Sequence, residues 1–144
     1  MPAVAPLTLS VAPRRDEPKY SRPSQCIVLL EQARQKLFDA ECAPHPVDRY
    51  ANAHLAALRA AAAVLAVRAR PRRRAQSTSV WVLLAAVAPE LAEWSAFFAA
   101  TSATRAAAEA DVRRLVTSRD ADDMVRQAGE FLALARRAAA RTSR

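Results

Sequence analysis

The stretch RYANAH, residues 49–54, sets Arg49 five positions ahead of His54. Those two side chains suit phosphodiester chemistry. A guanidinium holds a phosphate through charge-assisted hydrogen bonds, and an imidazole titrating near neutrality moves a proton. A second candidate lies in RARPRRRAQ, where Arg68, Arg70, Arg72, Arg73 and Arg74 follow one another without an intervening acid. Such a cluster concentrates positive potential and favours polyanions, RNA or DNA phosphates above all. No aromatic residue is interleaved with these arginines, so neither base stacking nor sequence-specific reading is expected of them. The bland alternative is a solvated loop between helices.

Other chemistries find little support. Cys26, Cys42, His45 and His54 are of the types zinc prefers, but they lack the paired C-x2-C and H-x3-H spacing that pre-forms a site, so no metal is expected. A chain whose single glycine is Gly129 has no phosphate-binding glycine loop, which removes P-loop and Rossmann chemistry and leaves no cofactor to expect. Nothing supports a cysteine nucleophile. Trp81, Trp94, Phe97 and Phe98 read as core aromatics, with an exposed pair on the third helix as the alternative, forming a dimer face.

The elements that must carry these residues are helical. At 144 residues the chain suits one domain with a single core. Alanine dominates and β-branched and aromatic residues are sparse, which favours an all-α fold. Residues 1–23 hold five prolines and no apolar period, so they read as a flexible, mildly basic tail before a domain at 24–141. The first helix is predicted from Pro23-Ser24 to about Cys42 and the second from Pro46 to about Arg70, where Pro71 ends it. The third begins near Val80 after QSTS and is kinked or split at Pro89 before continuing to about Ala110. The last starts at a Thr117 or Ser118 cap, with Asp120, Asp122 and Asp123 in its first turn and Arg136, Arg137 and Arg141 at its end. Packing these stripes together predicts one antiparallel bundle of four to five helices.

The formal net charge is +8, and most of the excess sits in the 68–74 cluster. Cys26 and Cys42 lie sixteen positions apart; on one helix that is roughly 24 Å, too far to bridge. With an N-terminus that lacks a basic region ahead of its apolar residues, this predicts a reducing, cytoplasmic setting. No membrane span is expected. His54 and Arg59 cut the alanine-rich run, and VLLAAVAPELA is short and contains Pro89 and Glu90.

On a straight helix, positions five apart point about 140° away from each other. Val47, Tyr50, Leu58, Ala61 and Leu65 fall within about 40° of His54, which places it in the apolar stripe, whereas Arg49 lies with Asn52 and Arg59 on the polar side. One expectation is therefore a core histidine, hydrogen-bonded to Tyr50 or to another helix, beside guanidinium groups that stay wet. The catalytic alternative needs an irregular helix start or a residue from a second subunit.

The segments DRYANAHLAALRAAAAVLAVRARP, SVWVLLAAVAPELAEWSAFFA and SRDADDMVRQAGEFLALARRA resemble the HEPN superfamily, the nucleotide-binding helical bundles of higher eukaryotes and prokaryotes. The similarity covers about 24–141 and looks narrowest to a small branch in high-GC actinobacteria. It implies a bundle, often dimeric, in a superfamily whose active members are metal-independent ribonucleases or toxins and whose inactive members bind RNA or nucleotides or serve as partners. Active members carry Arg-x4–6-His in the C-terminal half, where this chain has no histidine. The expected function is thus a dimeric module that binds RNA or a nucleotide through Arg68, Arg70, Arg72, Arg73 and Arg74. The alternatives are a metal-independent endoribonuclease using Arg49 and His54, and a helical scaffold with no nucleic-acid role.

Overall fold

The computed structural model of the chain describes residues 21–69, 79–109 and 116–141. Five α-helices follow one another: α1 (Arg22–Cys42), α2 (Pro46–Arg68), α3 (Val80–Val87), α4 (Ala92–Glu109) and α5 (Ser118–Arg141), with a 3-10 turn at Pro89–Leu91 between α3 and α4. Among the described residues there is no strand. Of the tail read at 1–23, residues 1–20 lie outside them, and Arg22 and Pro23 belong to α1.

Local chemistry sets most helix ends. Ser21 caps α1, its Oγ accepting from the Ser24 N–H at 3.3 Å. The helix thus starts at Arg22, two residues before Ser24, because Pro23 fits a first turn whose N–H groups have no helical partner. Pro46 opens α2 in the same way. Ser79 caps α3 by accepting from the Trp81 N–H. At α5 the Thr117 hydroxyl accepts from the Asp120 N–H (3.0 Å) and the Asp120 carboxylate accepts from the Thr117 N–H (3.1 Å), a reciprocal box that satisfies two donors at once.

Pro89 splits the third predicted helix in two. It has no N–H to continue a ladder and pushes the residue before it out of the helical region. Ala88 accordingly sits at φ −135°, ψ 73°, and α4 then runs back along α3.

Contacts between named residues fix the topology. The start of α1 meets the ends of α2 and α5, because Cys26 packs with Ala63, Val67 and Ala139. Arg49 pairs with Asp122 near the starts of α2 and α5, and Arg68 reaches Ala138 near their ends, so these two helices run the same way. His54 meets Phe98, and Arg68 meets Glu90, so α4 runs opposite to α2. The long helices α1, α2, α4 and α5 thus alternate up and down, with α3 folded back onto α4.

Helix α2 is the hub, packing on α1, α3, α4 and α5. Six of its ten buried residues are alanine, and so small a surface lets neighbouring backbones come close. By length and composition it is apolar enough to cross a membrane, despite His54 and Arg59; half of its most apolar stretch is buried inside the bundle. Volume comes from elsewhere. Trp81, Trp94, Phe98 and Phe131, from α3, α4 and α5, pack in stacked, tilted and edge-on pairs with ring centroids 5.0–6.1 Å apart and fill the space the alanines leave.

Gly129 sits inside α5, where a Cβ would meet only the Leu37 side chain, at an ordinary 3.7 Å. Gly129→Ala is expected to raise stability by about 0.5–1 kcal/mol, since a helical glycine loses more backbone entropy than alanine on folding. Urea unfolding checks this, and a lower midpoint would show that the α1–α5 contact is tighter than described.

Candidate functional site

His54 is buried, with 1 % of its surface exposed. It lies where α2 meets α3 and α4, edge-on to Trp81 and Phe98 at centroid distances of 6.0 and 5.7 Å. Its Nε2 is 3.1 Å from the Phe98 carbonyl. A carbonyl only accepts, so Nε2 carries a proton in this bond. The same oxygen accepts from the hydroxyls of Thr101 and Ser102, at 3.0 Å each. The imidazole is therefore held by a main-chain acceptor of α4, a partner that side-chain periodicity within α2 had no means of revealing.

Arg49 leaves the other side of the helix. Its side chain is 22 % exposed, and the guanidinium pairs with the Asp122 carboxylate in the first turn of α5. It is less solvated than expected, because α5 lies beside α2 with matching ends and brings an acid to it. The structure does not bring Arg49 and His54 to one point. The ring sits in the aromatic cluster and the guanidinium at a helix edge, as the divergence of about 140° along α2 requires.

Arg68 is the one member of the arginine cluster within the described residues; Arg70, Arg72, Arg73 and Arg74 lie outside them. Its side chain is 16 % exposed. One amino group reaches the Val87 carbonyl at 3.4 Å, the other the Ala138 carbonyl at 3.0 Å, and the guanidinium pairs with Glu90. Val87 ends α3 and Ala138 lies in the last turn of α5, positions where carbonyls have no partner further along the helix. A single guanidinium thus serves two helix C-termini and an acid at the entry to α4. The Glu90 N–H, and then the guanidinium groups of Arg68 and Arg141, hold the Glu90 carboxyl below the usual glutamate range against partial desolvation. Arg68 departs from a wet guanidinium because three helix ends converge on the point where α2 stops.

The partners Glu90 and Asp122 were missed by the reading of the sequence. Asp122 had a local explanation as a complement to the α5 dipole, and Glu90 looked like an ordinary acid after a proline. Cys26 is buried and Cys42 exposed, both as free thiols, and burial pushes the Cys26 thiol up, away from thiolate. Among the described residues no group of three His, Cys, Asp or Glu side chains converges as metal ligands would.

The chain belongs to the SAV_6107-like HEPN family, whose model matches residues 40–136, from the last turn of α1 into the last turns of α5. No curated protein and no solved structure matches it.

Removing the imidazole and removing the Arg49 pair should differ in cost. His54→Ala is expected to destabilise the fold by on the order of 2–4 kcal/mol, from lost volume and a lost buried hydrogen bond. Arg49→Ala should cost under about 1 kcal/mol, as expected of a pair whose acid is open to solvent. Equal urea midpoints for the two variants would contradict the core role of His54.

Proposed function

We propose that this HEPN domain is a non-catalytic module that binds RNA through arginines at the end of α2 and works as a homodimer. The observation that carries the reading is how the chain's only Arg-x4-His pair is employed. His54 is bonded to the Phe98 carbonyl inside the core and Arg49 is paired with Asp122, so both groups have structural work and point different ways. General acid–base catalysis needs its proton carrier within hydrogen-bond reach of substrate, and a ring with 1 % exposure offers none. What remains for a phosphate is the cluster Arg68, Arg70, Arg72, Arg73 and Arg74. Arg68 is anchored to Glu90 at the end of α2, and the arginines that follow it in the sequence supply the charge.

The test is a labelled single-stranded RNA titrated with the full chain over a salt series. Binding that weakens steeply with salt, without cleavage, is expected. Replacing Arg70, Arg72, Arg73 and Arg74 by glutamine should abolish most of it. RNA cleavage by the wild type that disappears in Arg49→Ala, a variant that leaves the core intact, would overturn the non-catalytic reading in favour of the endoribonuclease. No binding at low salt would leave the scaffold reading.

For the dimer, support comes from a shallow apolar groove of about 290 Å3 between α3 and α4, lined by Trp81, Val82, Ala85, Ala92, Ser95 and Ala99. No charged residue lines it, and Val82 on its wall is 61 % exposed. A surface without charge suits the centre of a self-complementary interface. Sedimentation should give a dimer for the wild type and a monomer for Val82→Asp. A monomeric wild type at tens of micromolar would remove this half of the proposal.

A further inference from the structure

Helix α4 borders two unlike cavities. Ala92, Ser95 and Ala99 line the uncharged groove against α3. Glu93, Trp94 and Phe97, neighbours on another side of the same helix, enclose a second shallow cavity of about 240 Å3 with Gln127 of α5. Its lining is of a different kind: two aromatic rings, one carboxylate, one carboxamide and no cation.

The aromatic wall is built outward from the core. Trp94 is half-buried, stacked on Phe98 with ring centroids 6.1 Å apart and tilted against Phe131 at 5.8 Å. Phe97 stands edge-on to Phe98 at 5.0 Å and keeps 37 % of its surface exposed. Both rings are thus held from behind by the cluster that fills the bundle, and their remaining surface borders the cavity. Aromatic faces are electrostatically negative and attract cations. Glu93 adds a formal negative charge to them. The chain has 22 Lys and Arg against 14 Asp and Glu, so cations are abundant, yet among the described residues the Glu93 carboxylate joins no ion pair or hydrogen bond. The base next to Gln127, Arg126, is paired instead with Asp123 at 3.3 Å. Glu130, one turn beyond Gln127 on α5, is exposed and adds a further acid to that flank.

We propose that this cavity receives an arginine side chain presented by a protein partner. A guanidinium is planar, cationic and weakly hydrated, so it stacks on an aromatic ring at little desolvation cost. Its fork of donors suits the two acceptors on the wall, the Glu93 carboxylate and the Gln127 carboxamide oxygen. An ammonium, strongly hydrated and without a flat face, makes poorer use of the rings. A nucleotide is disfavoured, because its phosphate would approach a site whose formal charge is negative. A cavity this shallow gives one side chain only a weak hold, so the arginine belongs to a larger surface that adds contacts of its own. The inference is independent of the RNA reading, which rests on other residues.

The test uses the full chain, isotope-labelled, with the tryptophan indole N–H signals followed by NMR at constant ionic strength. Trp94→Phe assigns the signal of Trp94. The probes are N-acetyl-arginine amide, which mimics an arginine within a chain, its lysine and citrulline counterparts, free arginine and guanosine. The arginine amide is expected to shift the Trp94 signal saturably, in the millimolar range, and to leave Trp81 unmoved. The citrulline amide, similar in shape but uncharged, should have no effect, and the lysine amide should bind more weakly. Glu93→Gln and Phe97→Ala, both on the surface of α4 and checked for folding by thermal melts, should each raise the half-saturation concentration about 2–5-fold, the range for an exposed ion pair or an exposed cation–π contact. Glu41→Gln, which removes the same charge at the end of α1, should match wild type. No saturable shift with the arginine amide, or a shift that Glu93→Gln and Phe97→Ala leave unchanged, would overturn the proposal. An equal effect of Glu41→Gln would reduce it to net charge and overturn it as well. Equal binding of the lysine amide, or preferential binding of guanosine, would overturn the guanidinium assignment. Free arginine that binds more tightly than the capped residue would assign the cavity to the amino acid and overturn the protein partner.

Discussion

The smallness of α2 is the constraint on which the other arrangements rest. With six alanines among its ten buried positions, this helix contributes closeness to the core and little volume. Neighbouring backbones approach it, and apolar bulk has to come from the helices around it, which is why Trp81, Trp94, Phe98 and Phe131 gather where α3, α4 and α5 face α2. His54 is the one large polar side chain α2 places in that region. A buried imidazole without a hydrogen bond would be costly, and the Phe98 carbonyl removes that cost while fixing α4 against α2.

A tightly approached hub also draws its neighbours' ends together where it stops. Arg68 at that point meets the carbonyls of Val87 and Ala138 and the carboxylate of Glu90. Its position follows from geometry: α3 and α5 run in the same direction as α2, so their unsatisfied carbonyls arrive on the same side. A planar guanidinium with five donors in a fixed fork serves such a junction better than an ammonium. The arginine segment therefore begins from an anchored residue, and its first member is spoken for by the fold.

Much of this was legible in the sequence, for local reasons. Helix ends follow from Pro46, the QSTS cap that ends in Ser79, and the Thr117 cap, all of which act within a few residues, whereas the Ser21 cap of α1 went unread. The placement of His54 in the apolar stripe, away from Arg49, follows from helical period alone. Relations between distant residues were not legible. Periodicity locates a face but not the carbonyl opposite it, so Phe98 was hidden as a partner of His54. Whether α5 would lie beside α2 with matching ends was likewise open, and with it the engagement of Arg49 by Asp122 and of Arg68 by Glu90. The five arginines at 68–74 looked equivalent in the chain, yet a side chain in the final turn of a packed helix has neighbours that the residues following it need not share.

The separation of charge shows where folding stops explaining the chain. Acids in the first turns of α2 and α5 and an arginine at the end of each have sufficient local reasons in the helix dipole. Arg68 meets the carbonyls of two helices and shares Glu90 with Arg141, and crowding guanidinium groups at that end costs free energy through their mutual repulsion. Arg22, Arg137 and Arg141 nevertheless stand there, exposed, with four more arginines in the adjoining segment. Like charge gathered against its own repulsion is relieved when a polyanion arrives. Arg49 and His54, by contrast, are each already engaged within the fold, by the Asp122 carboxylate and the Phe98 carbonyl.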